Sequence, residues 1–254
     1  MTLAKEEVYE LMKNESYTLS SKYDPDWIIQ NELGSHCLWL AEALAGAMEL
    51  KPGMRILDMG CGKAITSIFL AKEFGLEVWA NDLWISPTEN WLRIQEAGVG
   101  DKVYPLKAEA HSLPYADEFF DAIISINALQ FFGTCDYYMK NHFGRLVKPG
   151  GQIGIIVPGL YKEFEEELPE YLRELWQPDF YSWHSAKWWE RHWKRTGMVD
   201  VLLADNFENE EGRNIFLKWE IIMGKSKLLN ADKGRNITFV MVVAPKNKRV
   251  DAVC

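Results

Sequence analysis

The 254-residue sequence contains no apolar run approaching the roughly 18–20 residues that a membrane-spanning helix needs, so no membrane partner is expected. Its opening, Met1-Thr-Leu-Ala-Lys-Glu-Glu, lacks the apolar core and cleavage site of a secretory signal, which sets the expectation of a cytoplasmic protein. Cysteine is scarce. Cys37, Cys61, Cys135 and Cys254 lie far apart and form no CxxC pair, so neither a zinc site nor a disulfide framework is suggested, and no metal is expected. Positive charge is in deficit, with 28 Lys and Arg against 37 Asp and Glu for a net charge of −9. Such a balance gives no broad phosphate-binding surface and disfavours a nucleic-acid partner. Internal repeats, low-complexity tracts and Pro/Ser-rich linkers are also missing.

What remains is an ordinary globular composition, 48% hydrophobic and 26% charged, long enough for one α/β domain. Tryptophan stands out: there are 11, and five fall between Trp176 and Trp193. Such clustering makes either a thick local core or an aromatic pocket wall.

The first 50 residues read as helical, with Trp39, Leu40, Leu44, Ala47 and Met48 at helical spacing and Lys51-Pro52-Gly53 ending the run. Strands and helices then alternate. Strands are expected at 54–58, 77–82, 103–108, 121–126 and 152–157. Helices are expected at 65–74, 87–97 and 135–146. Short apolar strands separated by helices imply a parallel sheet covered on both faces. Beyond Pro158 the pattern changes. An acidic helix is expected at 161–176, with Glu163–Glu167 on a solvated face, and an aromatic-basic helix at 185–195. A sixth strand at 199–204, a helix at 213–223 and a last strand at 237–244 follow, and the polar tail from Lys246 to Arg249 is expected to fray. The expected organisation is one domain. It comprises a helical cap (1–45), a cofactor-binding core (46–158), an inserted lid (159–196) and the C-terminal part of the sheet with an extra helix (197–254).

The densest chemical signal is Ile56-Leu57-Asp58-Met59-Gly60-Cys61-Gly62-Lys63-Ala64, between a strand and a helix. Its glycines let the backbone turn sharply against a ligand, and the following helix points its positive end at the same spot. Asp58 ends the strand, where open α/β sheets bind ligands. Asp82 ends the next strand, 20 residues after Gly62, and a carboxylate there can accept from both hydroxyls of a ribose. A dinucleotide loop would carry a third glycine where Ile65 stands, and an acid at position 58 would repel a pyrophosphate while attracting an ammonium. The balance favours a nucleoside bearing an ammonium over NAD.

With Lys51–Gly62, Ala80–Asp82, Ala108–Tyr115, Phe119–Ile124 and Leu146–Gly151 in this order, residues 52–158 resemble the core of class I S-adenosylmethionine-dependent methyltransferases, especially the UbiE-like small-molecule group. The resemblance implies a Rossmann-like, doubly wound, mostly parallel seven-stranded sheet whose last strand is antiparallel, plus a helical cap. It implies S-adenosylmethionine as cofactor. Asp58, Gly60 and Gly62, with Cys61 packed between the glycines, would hold the methionine part. Asp82 would take the ribose, with Leu83 and Trp84 against the adenine or ribose. Glu109, where the family usually has Asp, and the backbone of Ala110 would meet the adenine. Asn127 would lie near the methionine group and the sulfonium.

Methyl transfer is an in-line displacement that demands geometry more than a fixed residue set, so no catalytic residue is readable. Gln130 and Phe131, after the fourth strand, and Tyr17, Trp183 and Trp188 are the candidates for contact with an acceptor. Trp27 is a further pocket candidate. Gln130 can hydrogen-bond but cannot serve as a base. Trp189 and Trp193 share a helix face and suit a core. His111 and His142 read as surface or structural residues, and Cys135 lies nearer the expected substrate mouth. The expected function is methyl transfer to a small, apolar or aromatic molecule, with a non-catalytic S-adenosylmethionine-binding protein as the alternative. The sequence does not specify an oligomeric state.

Overall fold

The computed structural model describes residues 3–207 and 210–248. Among them the chain runs α1 (Lys5–Leu11), α2 (Pro25–Asn31), α3 (Cys37–Ala47), β1 (Arg55–Met59), α4 (Ile65–Phe74), β2 (Glu77–Asp82), α5 (Pro87–Glu96), β3 (Val103–Lys107), β4 (Phe120–Ile126) and β5 (Val147–Leu160). It continues through α6 (Glu170–Arg173), α7 (Ala186–Lys194), β6 (Leu203–Asp205), α8 (Glu211–Ile222), α9 (Lys227–Asp232) and β7 (Ile237–Pro245). The strands form one seven-stranded sheet in the order β3-β2-β1-β4-β5-β7-β6. Its neighbours are parallel except β7, which runs antiparallel to both β5 and β6. The sheet therefore has the expected fold, a mostly parallel doubly wound sheet closed by an antiparallel last strand.

Alternation along the strands feeds two cores, one per face. In β7, Phe239, Met241 and Val243 join the core that holds Trp39, Leu44, Ile68 and Phe69 of α3 and α4. Val240, Val242 and Ala244 join the opposite core, with Trp189 and Trp193 of α7. Gly154 of β5 leaves room for α3, since a Cβ there would stand 2.3 Å from the Met48 sulfur. The strand order reverses between β1 and β4, and a crevice opens at their carboxyl ends.

Several expected elements differ. Residues 135–146 are not an α-helix. Within them lie a wide π turn (Met139–Phe143) and a tight 3₁₀ turn (Gly144–Leu146), and Gly144 sits where a Cβ would lie 2.9 Å from the Met139 carbonyl oxygen. The acidic helix over 161–176 shrinks to α6. Stacked glutamates repel along a helix, and Glu163 instead turns inward to accept from the Ser185 backbone N–H (2.6 Å) and hydroxyl (2.8 Å). The sixth strand is three residues long, with Val199 making only an isolated bridge to Lys246. The helical N-terminal region is three helices joined by turns, and the last ends at Ala47, ahead of Lys51-Pro52-Gly53. Helix α9 was not expected. It is held by Asp232, whose carboxylate accepts from the Asn236 and Ile237 backbone N–H groups. The start of the tail is tied down by Lys246 N–H to Gly151 O (2.7 Å) and Asn247 N–H to Met198 O (2.8 Å). Arg249 and Cys254 lie outside the described residues.

Candidate active site

The glycine loop is built by the ends of β1 and β2. Gly60 and Gly62 both have positive φ, +77° and +54°. The backbone N–H groups of Gly60 and Cys61 donate to the Asn81 carbonyl (2.8 and 3.0 Å), and that of Gly62 donates to Asp82 Oδ2 (2.9 Å). All three donors are spent inside the protein and are not free to cradle a pyrophosphate. That geometry, rather than the charge of Asp58, disfavours a dinucleotide.

Asp58 itself is displaced from its expected position. It is buried beneath the loop and absent from the cavity wall, with Oδ2 accepting from the Thr66 (2.5 Å) and Ser67 (2.6 Å) hydroxyls of the first turn of α4. Burial pushes its carboxyl up to about 6, with the charge of Asp82 adding and the two hydroxyls opposing. Asp82 does reach the cavity. Its Oδ1 accepts from the Trp84 and Ile85 N–H groups (2.8 and 3.0 Å), so three of about four lone-pair sites are filled and the carboxylate is fixed.

The cavity, about 600 Å³, runs from this loop across the carboxyl edge of the sheet. Gly60, Cys61, Gly62, Asp82, Leu83, Trp84, Glu109, Ala110 and Asn127 all line it. Leu83 and Trp84 are exposed at its rim. Glu109 is exposed too, with its carboxylate turned to the His111 backbone N–H (2.9 Å) and Nδ1 (2.6 Å); the His111 bond holds it below the usual carboxylate range. His142, half-buried rather than solvated, packs its ring edge against His111. Burial raises the Cys61 thiol well above its ordinary value, which suits a packing role rather than a nucleophile.

Of the acceptor candidates, Gln130, Phe131 and Trp183 line the cavity. Tyr17 and Trp188 do not. Tyr17 is buried against Trp39 with its hydroxyl toward Glu211. Trp188 is stacked between His184 and His192 at 3.7 and 4.5 Å. Trp27 likewise leaves the cavity and packs on Tyr23. Cys135 is exposed and outside the wall. The sequence reading missed two stretches of wall. One is Glu32–Ser35, between α2 and α3. The other is the face of α8 carrying Phe216, Trp219 and Glu220. The apolar spacing of positions 215, 216 and 219 marked that face in the sequence, but not what it covers.

The methyltransferase domain model matches residues 56–151. A ubiquinone/menaquinone biosynthesis C-methyltransferase UbiE of Vibrio cholerae is 31% identical over 193 residues, 72% of this chain and 67% of that protein. A sterol 24-C-methyltransferase of Yarrowia lipolytica is 29% identical over 131 residues, 50% of this chain and 34% of that longer protein. Among solved structures, phosphoethanolamine N-methyltransferase 2 of Haemonchus contortus in complex with S-adenosyl-L-methionine superposes with a TM-score of 0.67 at 20% identity, covering 95% of this chain and 60% of that one. Geranyl diphosphate C-methyltransferase of Streptomyces coelicolor gives 0.66 at 14% identity, covering 83% and 78%. The chain belongs to the class I S-adenosylmethionine-dependent methyltransferases. S-adenosylmethionine is accordingly its cofactor.

Proposed function

We propose that the protein transfers a methyl group in line from S-adenosylmethionine to a small, apolar or aromatic acceptor. The observation that carries this reading is the composition of the cavity: a polar end at the glycine loop continues without a break into a wall of Phe131, Phe180, Trp183, Phe216 and Trp219. A cavity of this size with few polar groups suits a small organic molecule.

The polar end fits the cofactor on three counts. A Cβ at Gly60 would stand 2.3 Å from Ala128 Cβ, so only glycine lets the loop close against Ala128 at the edge of the cavity. Asp82 is held with a site free for ribose hydroxyls. The side-chain oxygens of Asn81, Asn127 and Gln130, all in the cavity wall, are buried without a hydrogen-bond partner. Buried acceptors without donors are costly, and a ligand carrying an ammonium and hydroxyls supplies the missing donors. The cofactor supplies a methyl carbon activated by its positive sulfur. The chain would orient the reactants and exclude water with the aromatic wall, whose rings can stabilise a cation such as the sulfonium by about 0.5–2 kcal/mol. Relatives whose names specify ubiquinone/menaquinone biosynthesis and a sterol support an acceptor with apolar character.

Calorimetric titration with S-adenosylhomocysteine, followed by a screen of phenolic, quinol and isoprenoid acceptors for S-adenosylhomocysteine release, tests the reading. Binding with turnover on an aromatic or isoprenoid acceptor is the expected result. Turnover only on highly polar acceptors would remove the acceptor assignment and leave the cofactor assignment intact.

A further inference from the structure

The sequence assigns recognition of the cofactor ammonium to Asp58, yet Asp58 lies beneath the loop and away from the cavity. One carboxylate that does line the cavity comes from a segment that no motif covers. Residues 32–35 cross the glycine loop between α2 and α3. A Cβ at Gly62 would meet Leu33 Cδ1 at 3.1 Å, and a Cβ at Gly34 would meet Asn127 Nδ2 at 3.0 Å. The Asn127 amide donates to the Ser35 carbonyl (3.3 Å), and Gln130 Nε2 donates to the Asn127 carbonyl (3.0 Å). The segment therefore rests on the two positions, Gly62 and Asn127, that flank the methionine end of the cavity.

Within it, Glu32 has one oxygen held more closely than the other. Oε2 accepts from the Cys37 N–H at the start of α3 (2.8 Å) and Oε1 from the Gly34 N–H at a long 3.4 Å, with the Cys37 thiol and the Leu33 N–H also facing the carboxylate. In the same cavity wall, Asn127 Oδ1 and Gln130 Oε1 are buried acceptors with no donor, and Gln130 is only 3% exposed. A carboxylate and two orphaned carbonyl oxygens around one end of a cavity form an acceptor-only site. The complementary ligand group is a cation with several N–H donors.

We infer that Glu32, together with Asn127 Oδ1 and Gln130 Oε1, binds the α-ammonium of the cofactor, in place of Asp58; this rests on the cofactor reading above. The electrostatics agree. With no cation present, burial raises the Glu32 carboxyl to about 7 against the opposing pull of its bonds to Cys37, Gly34 and Leu33. The titratable group in contact with it is the Cys37 thiol, itself pushed up by burial and by Glu32, with Asp58 next beyond. The Lys63 ammonium in the adjoining wall is turned away to the Gln30 carbonyl (2.7 Å), and Asp82, Glu220 and Lys225 also line the cavity. An arriving ammonium therefore favours the ionised carboxylate. Binding expels a proton from any Glu32 that carries one, so affinity falls as pH drops below about 7 and levels off above it.

The test compares S-adenosylhomocysteine with 5′-methylthioadenosine, which lacks the amino-acid end, by calorimetry from pH 6 to 8. The proteins are wild type and Glu32→Gln, a variant that keeps an acceptor for the Cys37 N–H. The expected result is S-adenosylhomocysteine binding that tightens with pH in wild type. In E32Q it should be weaker by on the order of tenfold or more, the loss of a charge-assisted hydrogen bond, and flat with pH. Methylthioadenosine affinity should be equal in the two proteins. Unchanged S-adenosylhomocysteine affinity in E32Q, or equal loss of both ligands, would overturn the assignment. Wild type binding neither ligand would instead remove the cofactor reading itself.

Discussion

Asp82 Oδ2 accepts the Gly62 backbone N–H at 2.9 Å, which ties the turn after β1 to the end of β2. One carboxylate thus shapes the glycine loop while presenting its remaining lone pair to the cavity. Replacing Asp82 by alanine should weaken S-adenosylhomocysteine binding by about ten- to a hundredfold, the range for losing hydrogen bonds to a charged group. Asparagine should lose less, because its oxygen can still accept from Gly62. Titration calorimetry of both variants checks the order.

Gly60 and Ala128 are too close for a side chain at position 60. Gly60→Ala sets a Cβ 2.3 Å from Ala128 Cβ on a backbone with φ +77°. The expected cost is about 1–3 kcal/mol of stability, with loss of cofactor binding. Adding Ala128→Gly should restore part of both, since it removes the clash but not the backbone strain. Urea melts of the single and double variants separate the two causes.

The tryptophans divide by location. Trp189 and Trp193 are fully buried in the core under α7, so alanine at either should cost about 3–5 kcal/mol and leave cofactor affinity in the folded fraction unchanged. Trp183 lines the cavity, and Trp183→Ala should raise the acceptor KM at least tenfold. Comparable KM effects at all three positions would contradict this division.

Asp58 links the fold to pH. Its folded-state carboxyl, raised to about 6, binds a proton more tightly than the unfolded chain does. The contribution of Asp58 to the stability of the free protein is therefore lost as pH rises from about 4 to about 6 and is not regained above. Asp58→Asn removes that penalty while keeping an acceptor for a hydroxyl of α4. Relative to wild type it should be more stable at pH 8 than at pH 5, by on the order of 1–3 kcal/mol in denaturant melts. An equal difference at both pH values would show that the buried charge is not the cause.

The cofactor half of the cavity was legible because its chemistry is local. The loop 56–64 is contiguous, and Asp82 follows at the end of the next strand. Even there, burial was not readable: nothing in the sequence says that Asp58 would serve Thr66 and Ser67 rather than the cavity. The rest of the cavity wall comes from 32–35, 180–183 and 216–223, segments that meet only in the folded chain. Aromatic side chains fill cores as readily as they line pockets, which is why the sequence points to Tyr17 and Trp188 and not to Phe216 and Trp219. The acidic run at 163–167 misled for a related reason. Its charge suggests a solvated helix, but Glu163 finds better partners at the start of α7.

Strand β7 is the last strand in the chain and yet lies inside the sheet, between β5 and β6. During synthesis the β7-facing edge of β5 therefore has no partner until residues 237–245 emerge, and until then β6 has no strand to pair with. An unpaired strand edge recruits other chains. Loss of β7 is thus not a local change: a stop codon before Ile237 would yield an aggregating chain rather than a shorter enzyme, although the glycine loop lies three strands away.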